Sequence, residues 1–292
     1  RWLSMAKRVP AARLGQSQVG SRTWDMPAPL LHIDSSPTMP ASVAAVVIGA
    51  GVVGTFAAYY LARRGLRIAL LEKGRVAGEQ SSRNWGWCRQ QNRDARELPM
   101  ATQSLALWDA IAGEIGEDIG FRRCGLLYLS NDERELDTWT RWCVFARGAG
   151  VVSHPLSAKE AAARGNATAR AWKGGVFSPS DGVADPARAV PLVARHLSKL
   201  GSTVHQMCAV RGIDTAAGRV CGVVTETGTI RTSTVILAAG AWAGAFCRQL
   251  GVDFPQASVR ASILAVEAKS AVIPDALHTA AVSVTRRSAG SY

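Results

Sequence analysis

Residues 43–48 form an unbroken apolar run of strand length, rich in β-branched side chains. Such a run fits a strand covered on both faces, since an exposed face would demand polar residues at alternate positions. After Gly-Ala-Gly-Val-Val-Gly the apolar positions continue at helical spacing over 52–64, where Ala57 and Ala58 are small enough to lie close to a sheet. Gly65 supplies a stop. Residues 66–71 give a second apolar strand, which ends at Glu72. A rival reading exists, because residues 43–62 carry no charge and about 20 apolar residues suffice to span a membrane. The three glycines at the strand-to-helix junction and the second strand that follows favour strand, turn, helix, strand over a span.

Farther along the pattern loosens. Asp94 is placed to cap a helix whose apolar positions are Leu98, Ala101, Leu105, Trp108 and Ala112. Residues 121–130 read as a strand, and 132–150 as a helix turning Leu136, Trp139, Cys143 and Ala146 inward. Ser157-Ala-Lys-Glu160 is a capping box. Residues 172–182 read as a strand and turn, Asp185-Pro186 as a helix start, Gly201 as its stop, and 203–210 as a returning strand. A hairpin turning at Thr227-Gly228 leads to a buried strand over 234–239, which should lie beside the first strand. Alternating strands and helices around a parallel core make this an α/β fold.

Composition narrows the field modestly. With 292 residues, 48% hydrophobic and 19% charged, the chain is that of a folded protein. The net charge of +12 comes from cations scattered singly or in pairs such as Arg63-Arg64 and Arg122-Arg123, so no nucleic-acid partner is expected. Such a balance suits an anionic small molecule, and equally nonspecific adhesion to nucleic acid or membrane. The six cysteines show no CxxC pair, and the five histidines no metal or triad spacing, so no metal is expected. Reduced, mostly buried thiols and a cytoplasmic location are the reading. Residues 1–42 are expected to form a disordered leader.

The junction itself carries chemistry. In Gly49-x-Gly51-x-x-Gly54 the first glycine allows a tight turn, the second lets backbone approach a diphosphate, and the third lets helix pack on strand. The first helical amides then face the phosphates. Glu72 lies about twenty residues on, where a carboxylate takes ribose hydroxyls and repels a 2'-phosphate. The loop 74–90, GRVAGEQSSRNWGWCRQ, offers Ser81, Ser82 and Arg83 to a diphosphate or ribityl chain. Asn84, Trp85 and Gly86 could let backbone lie flat against a ring system.

Together VVIGAGVVG with Glu72, the SSRN loop, GVADPARAV at 182–190, the segment around Val210 and VILAAGAW resemble the FAD-dependent amino-acid oxidase superfamily. That group holds the D-amino-acid dehydrogenases, glycine oxidase and the sarcosine oxidases and dehydrogenases; the likeness covers about 43–292. It implies a Rossmann-type FAD-binding domain, discontinuous over 43–93 and 181–255. An inserted α+β substrate domain would occupy 94–180 and 256–292 and be incomplete at its C-terminus. By the same likeness Gly49, Gly51 and Gly54 hold the FAD diphosphate and Glu72 the adenosine ribose. Ser81, Ser82, Arg83 and Asn84 form a second cofactor loop, Val210 meets the adenine side through its backbone, and Ala239, Gly240 and Trp242 pass the flavin. Trp85, Trp87 and Cys88 depart from the small glycines usual after the asparagine.

The implied activity is removal of hydride from a C–H next to nitrogen in a D-amino acid, an N-methyl glycine or a related amine. Arg83, Arg89 and Arg123 are candidates to hold the substrate carboxylate, and nothing in their spacing selects one. Two alternatives stand beside this reading. One is a noncatalytic FAD-binding remnant or fragment, and the other an NAD-dependent dehydrogenase, against which the SSRN loop and the late AAGAW strand argue.

Overall fold

The computed structural model describes residues 30–165, 171–266 and 274–287. The chain opens with β1 (Ala45–Ile48), α1 (Val52–Ala62) and β2 (Ile68–Leu71). β3 (Trp87–Cys88), α2 (Leu98–Ile115), β4 (Leu126–Ser130), α3 (Glu133–Gly148), β5 (His154–Leu156), α4 (Ala158–Arg164), β6 (Gly174–Ser178) and β7 (Gly182–Val183) follow. α5 (Ala189–His196) leads into β8 (Thr203–His205), β9 (Val210–Ala216), β10 (Arg219–Thr225), β11 (Gly228–Arg231) and β12 (Val235–Leu237). The described elements end with α6 (Ala243–Gln249), β13 (Ala276–His278) and β14 (Ser283–Thr285).

The apolar runs become a four-stranded parallel sheet, ordered β12-β1-β2-β8. Alternate residues explain why its strands need no polar face. Ala45, Val47, Ile68 and Leu70 pack against α1 and α5, while Val46, Ile48, Ala69 and Leu71 pack against Val223 and Ile230 of the antiparallel sheet β11-β10-β9. Each such Val, Leu or Ile contributes about 1.5–3 kcal/mol relative to exposure. β12 returns beside β1 with Val46 opposite Val235, which brings the AAGAW segment to the glycine turn.

A second sheet, β14-β13-β4-β6-β5, stands apart and is covered by α3 and α4. The capping box at Ser157 and Glu160 is formed, and Asp132 caps α3 through the Arg134 amide at 2.8 Å. The short pair β3-β7 joins the two regions.

Several boundaries differ from the sequence reading. Asp94 and Asp185 each organise a turn ahead of a helix rather than cap it. Asp94 accepts from the Arg96 amide at 2.9 Å and α2 begins at Leu98, while Asp185 accepts from the Ala187 amide at 3.0 Å and α5 begins at Ala189. The strand expected over 121–130 is confined to β4, because Gly125 takes a left-handed φ of 72°. The strand expected over 203–210 splits into β8 and the start of β9, which belong to different sheets. Of the cysteines, all free, Cys143 and Cys208 are buried and Cys221 is exposed, so burial of the thiols is less general than expected.

Residues 30–42, expected at the end of a disordered leader, instead pack on the fold. The Leu31 amide donates to the Ala187 carbonyl, Ser36 to Val204, and Ile33 is buried. The rest of the expected leader lies outside the described residues. The membrane reading of 43–62 does not hold, since that segment is a four-residue strand, a turn and an eleven-residue helix. Among the described residues no helix is long and apolar enough to cross a membrane.

Candidate functional site

The turn between β1 and α1 leaves no room for side chains at Gly49 and Gly54. Gly49 has φ +101°, and a Cβ there would sit 2.5 Å from the Ala238 carbonyl oxygen on the segment after β12. A Cβ on Gly54 would sit 1.9 Å from the Gly49 carbonyl oxygen, so α1 presses directly on the turn. Close packing brings the first amides of α1 to the sheet's carboxyl edge, where helix and strand together make an anion-binding corner.

Two side chains from outside the motif complete this corner. Gly51 cannot cap α1, and Ser81, 29 residues away, accepts from the Val52 amide at 2.8 Å in its place. Glu72 is 8% exposed, with one carboxylate oxygen 2.9 Å from the Ala50 amide and the other 2.8 Å from the Gly74 amide. A carboxylate has about four acceptor positions, so these two bonds leave capacity for hydroxyl donors. A cavity of about 300 Å³ opens here, lined by Gly49, Gly51, Glu72, Ser81 and Val210 together with Ala239, Gly240 and Trp242.

Lys73 was not anticipated from sequence. Its Nζ lies 2.9 Å from Glu79 and 3.9 Å from the centroid of the Trp242 ring, and all three residues line the same cavity. Its position beside Glu72 was the one available hint.

Ser81 also borders a second cavity of about 330 Å³, shared with Asn84, Gly86, Trp87, Arg89 and Arg93. Asn84 in turn borders a third of about 530 Å³, whose walls include Trp85, Ile263, Leu264, Val282 and Arg287. The three hollows therefore run in series along the loop, hinged at Ser81 and at Asn84. Asn84 closes its own turn, donating to the Gln80 carbonyl at 2.8 Å and accepting from the Gly86 amide at 2.7 Å. Trp87 donates from Nε1 to Thr285 at 2.5 Å and its ring lies 4.8 Å from that of Trp85, which ties the loop to the second sheet.

Not all sequence candidates converge. Ser82 is buried, donates to the Glu79 carbonyl at 3.3 Å, and is absent from the linings of these three cavities. Arg83 is half exposed and 3.6 Å from Glu79, also outside them. Arg123 is held by Asp109 at 2.5 Å and by the Ser180 carbonyl, likewise outside. Of the three arginine candidates Arg89 alone lines one of these three cavities.

Sequence reasoning missed two further groups. Arg287, 9% exposed, sits 3.6 Å from buried Asp185 and donates to the Asn84 carbonyl at 3.0 Å, across 203 residues. Burial holds its guanidinium below the ordinary arginine range. Asp181 is fully buried, and desolvation pushes its carboxyl up to about 6 despite hydrogen bonds from the Gln90 and Gln91 amides.

The family model described as "DAO: FAD dependent oxidoreductase" matches residues 44–292. The chain belongs to this family. FAD is accordingly the cofactor, and the NAD-dependent alternative falls away. Human mitochondrial sarcosine dehydrogenase is 30% identical over 245 residues, covering 78% of this chain and 26% of that protein. Glycine oxidase of Geobacillus kaustophilus is 29% identical over 231 residues, covering 76% of this chain and 61% of that one. The solved L-amino acid deaminase from Proteus myxofaciens, in complex with anthranilate, superposes with a TM-score of 0.82 at 29% identity, over 90% of this chain and 60% of that chain. The chain thus spans about 60% of the length of the glycine oxidase and the deaminase.

The residues present fit FAD. Gly49 and Gly54 admit only hydrogen at their α-carbons, Glu72 offers acceptors inside the first cavity, and Ser81 borders both that cavity and the next.

Proposed function

We propose that this chain carries the FAD site and part of the substrate site of an oxidoreductase acting on the C–H next to nitrogen in a small amino acid or secondary amine. The observation that carries the reading is the corner of Gly49, Glu72 and Ser81 opening into cavities in series, with a cation beyond. The turn amides and Ser81 would hold the diphosphate, and Glu72 the adenosine ribose. When bound, FAD supplies a two-electron acceptor for oxidation of a C–N single bond to an imine, which water then hydrolyses.

The chain's own part is to orient and to exclude water. Arg89 is the arginine candidate of choice for the substrate carboxylate, because Arg83 and Arg123 stand outside the cavities. Trp85 and Trp87 take the places of small residues and form a wall between the second and third hollows. The partition into a cofactor part, 43–93 with 181–255, and a substrate part, 94–180 with 256–292, is supported by two separate sheets, one built within 45–237 and the other within 126–285. Six free thiols suit a reducing compartment such as the cytoplasm.

The names of the relatives support glycine, N-methyl glycine and L-amino acids as the substrates to try first; D-amino acids, which rest on the sequence resemblance alone, are tried beside them. The test is the visible spectrum of the purified chain under anaerobic conditions. A flavin band bleached by one of these compounds supports the proposal. A bound flavin that none of them reduces, or no flavin at all, favours the noncatalytic remnant.

A further inference from the structure

Two neighbouring backbone amides, those of Gln90 and Gln91, converge on the single carboxylate of Asp181 at 2.7 and 3.1 Å, from 91 and 90 residues away. Adjacent N–H groups aimed at one point call for a partner with two acceptors and no donor, which among side chains means an ionised carboxylate. The two glutamines are gripped further. Gln91, fully buried, accepts from Ser153 at 2.7 Å and Ser178 at 2.6 Å, while Gln90 donates to Thr102 at 2.7 Å and accepts from Ser180 at 3.0 Å. Asp181 is anchored through its backbone, its amide donating to the Ser178 carbonyl at 3.3 Å in its own turn and its carbonyl taking the Gly125 amide at 2.9 Å.

The grip ends on a cation. The Gln91 carbonyl accepts from Nη1 of Arg89, so the residue whose amide is fixed by Asp181 also fixes the guanidinium that lines the second cavity. A purely structural staple would not need a charge, since burying a carboxylate is unfavourable and a neutral turn can close a loop.

We propose that Asp181 is the positioning residue for Arg89, holding it at the second cavity through the Gln90–Gln91 backbone. This rests on the reading of Arg89 as the carboxylate-binding cation. The groups facing Asp181 are Arg89 from the loop, Cys88 of β3, Arg123 and Cys124 before β4, and Tyr128 of β4. The two arginines favour its ionised form, and burial opposes it, placing its titration near 6. Protonation turns one acceptor into a donor that meets an N–H, so the grip is present above this pH and released below it.

The test titrates the FAD-loaded chain with benzoate at pH values from about 5 to about 7.5, followed by the flavin absorbance and, without any flavin signal, by calorimetry. Wild type should lose about tenfold in benzoate affinity towards the acid end, the worth of one bond to a charged group. Asp181→Asn should bind at the weak level throughout, Arg89→Met should be weak and free of pH dependence, and the double variant should match Arg89→Met, since residues acting in series do not add. If Arg89→Met weakens binding while Asp181→Asn stays at the wild-type level, the positioning role is wrong and the reading of Arg89 stands. If Arg89→Met binds as wild type does, both are wrong. Should Asp181→Asn fail to fold, the profiles of wild type and Arg89→Met decide alone, and parallel profiles overturn the proposal.

Discussion

The two ends of the cavity series are built on different principles. At the dinucleotide end the ligand-facing atoms are largely backbone, set by Gly49 and Gly54 and trimmed by Glu72 and Ser81. At the far end they are side chains, Arg89, Trp87 and Arg287, held by partners such as Asp181 and Asp185 that lie about 90 to 100 residues away in the chain. The first design tolerates no added atom.

The harshest way to break this contrast is Gly54→Val, whose Cβ has only 1.9 Å to the Gly49 carbonyl oxygen. Overpacking against backbone should lower stability by about 3 kcal/mol or more and abolish flavin retention, read by thermal melting and gel filtration with FAD. A variant that melts and retains flavin as wild type does would remove the steric argument.

Truncating one buried leucine in each sheet sharpens the comparison. Leu70→Ala in β2 and Leu129→Ala in β4, both fully buried, should each lose about 2–5 kcal/mol. Only the β2 variant should also weaken FAD binding, measured at a temperature where both remain folded. Equal loss of flavin affinity would mean that the two sheets do not divide the work.

The pH dependence of stability offers a smaller effect. Asp181 titrates at about 6 in the folded chain against an ordinary 3.8, so the folded state binds more protons between these values. Stability therefore falls as pH rises through that window, by at most ~3 kcal/mol from the size of the shift. Melting curves of wild type minus those of Asp181→Asn should show this slope. A flat difference would place the carboxyl in a wetter setting than its full burial indicates.

Smallest of all, Lys73→Met should weaken FAD about two- to fivefold, the worth of a half-exposed ion pair and a cation–π contact.

How much was legible follows from the same contrast. The turn, α1, β2 and Glu72 occupy consecutive residues, and their order is dictated by strand burial, glycine stereochemistry and helix geometry, all readable locally. Ser81 as a cap for Val52 depends on a loop folding back over 29 residues, yet its residue type and neighbours marked the loop. Asp94 and Asp185 carried true turn signals, but an aspartate that bonds the amide two residues on makes a turn before a helix as readily as a cap on it. Arg83, Arg89 and Arg123 could not be ranked, because their difference lies in whether Glu79, Asp109 or a cavity stands opposite. Asp181 and Arg287 were invisible, since only the folded chain shows which amides and carbonyls they meet.

The central claim is that the corner at Gly49 and Glu72 receives the adenosine half of FAD. Its most direct test is a pair of equilibrium titrations, FAD and FMN, on wild type and on Glu72→Gln. The account expects FAD affinity to fall about tenfold or more in the variant, the loss of hydrogen bonds to a charged acceptor, with FMN, which lacks the adenosine, unchanged. An unaltered FAD affinity, or an equal loss for both flavins, would contradict it.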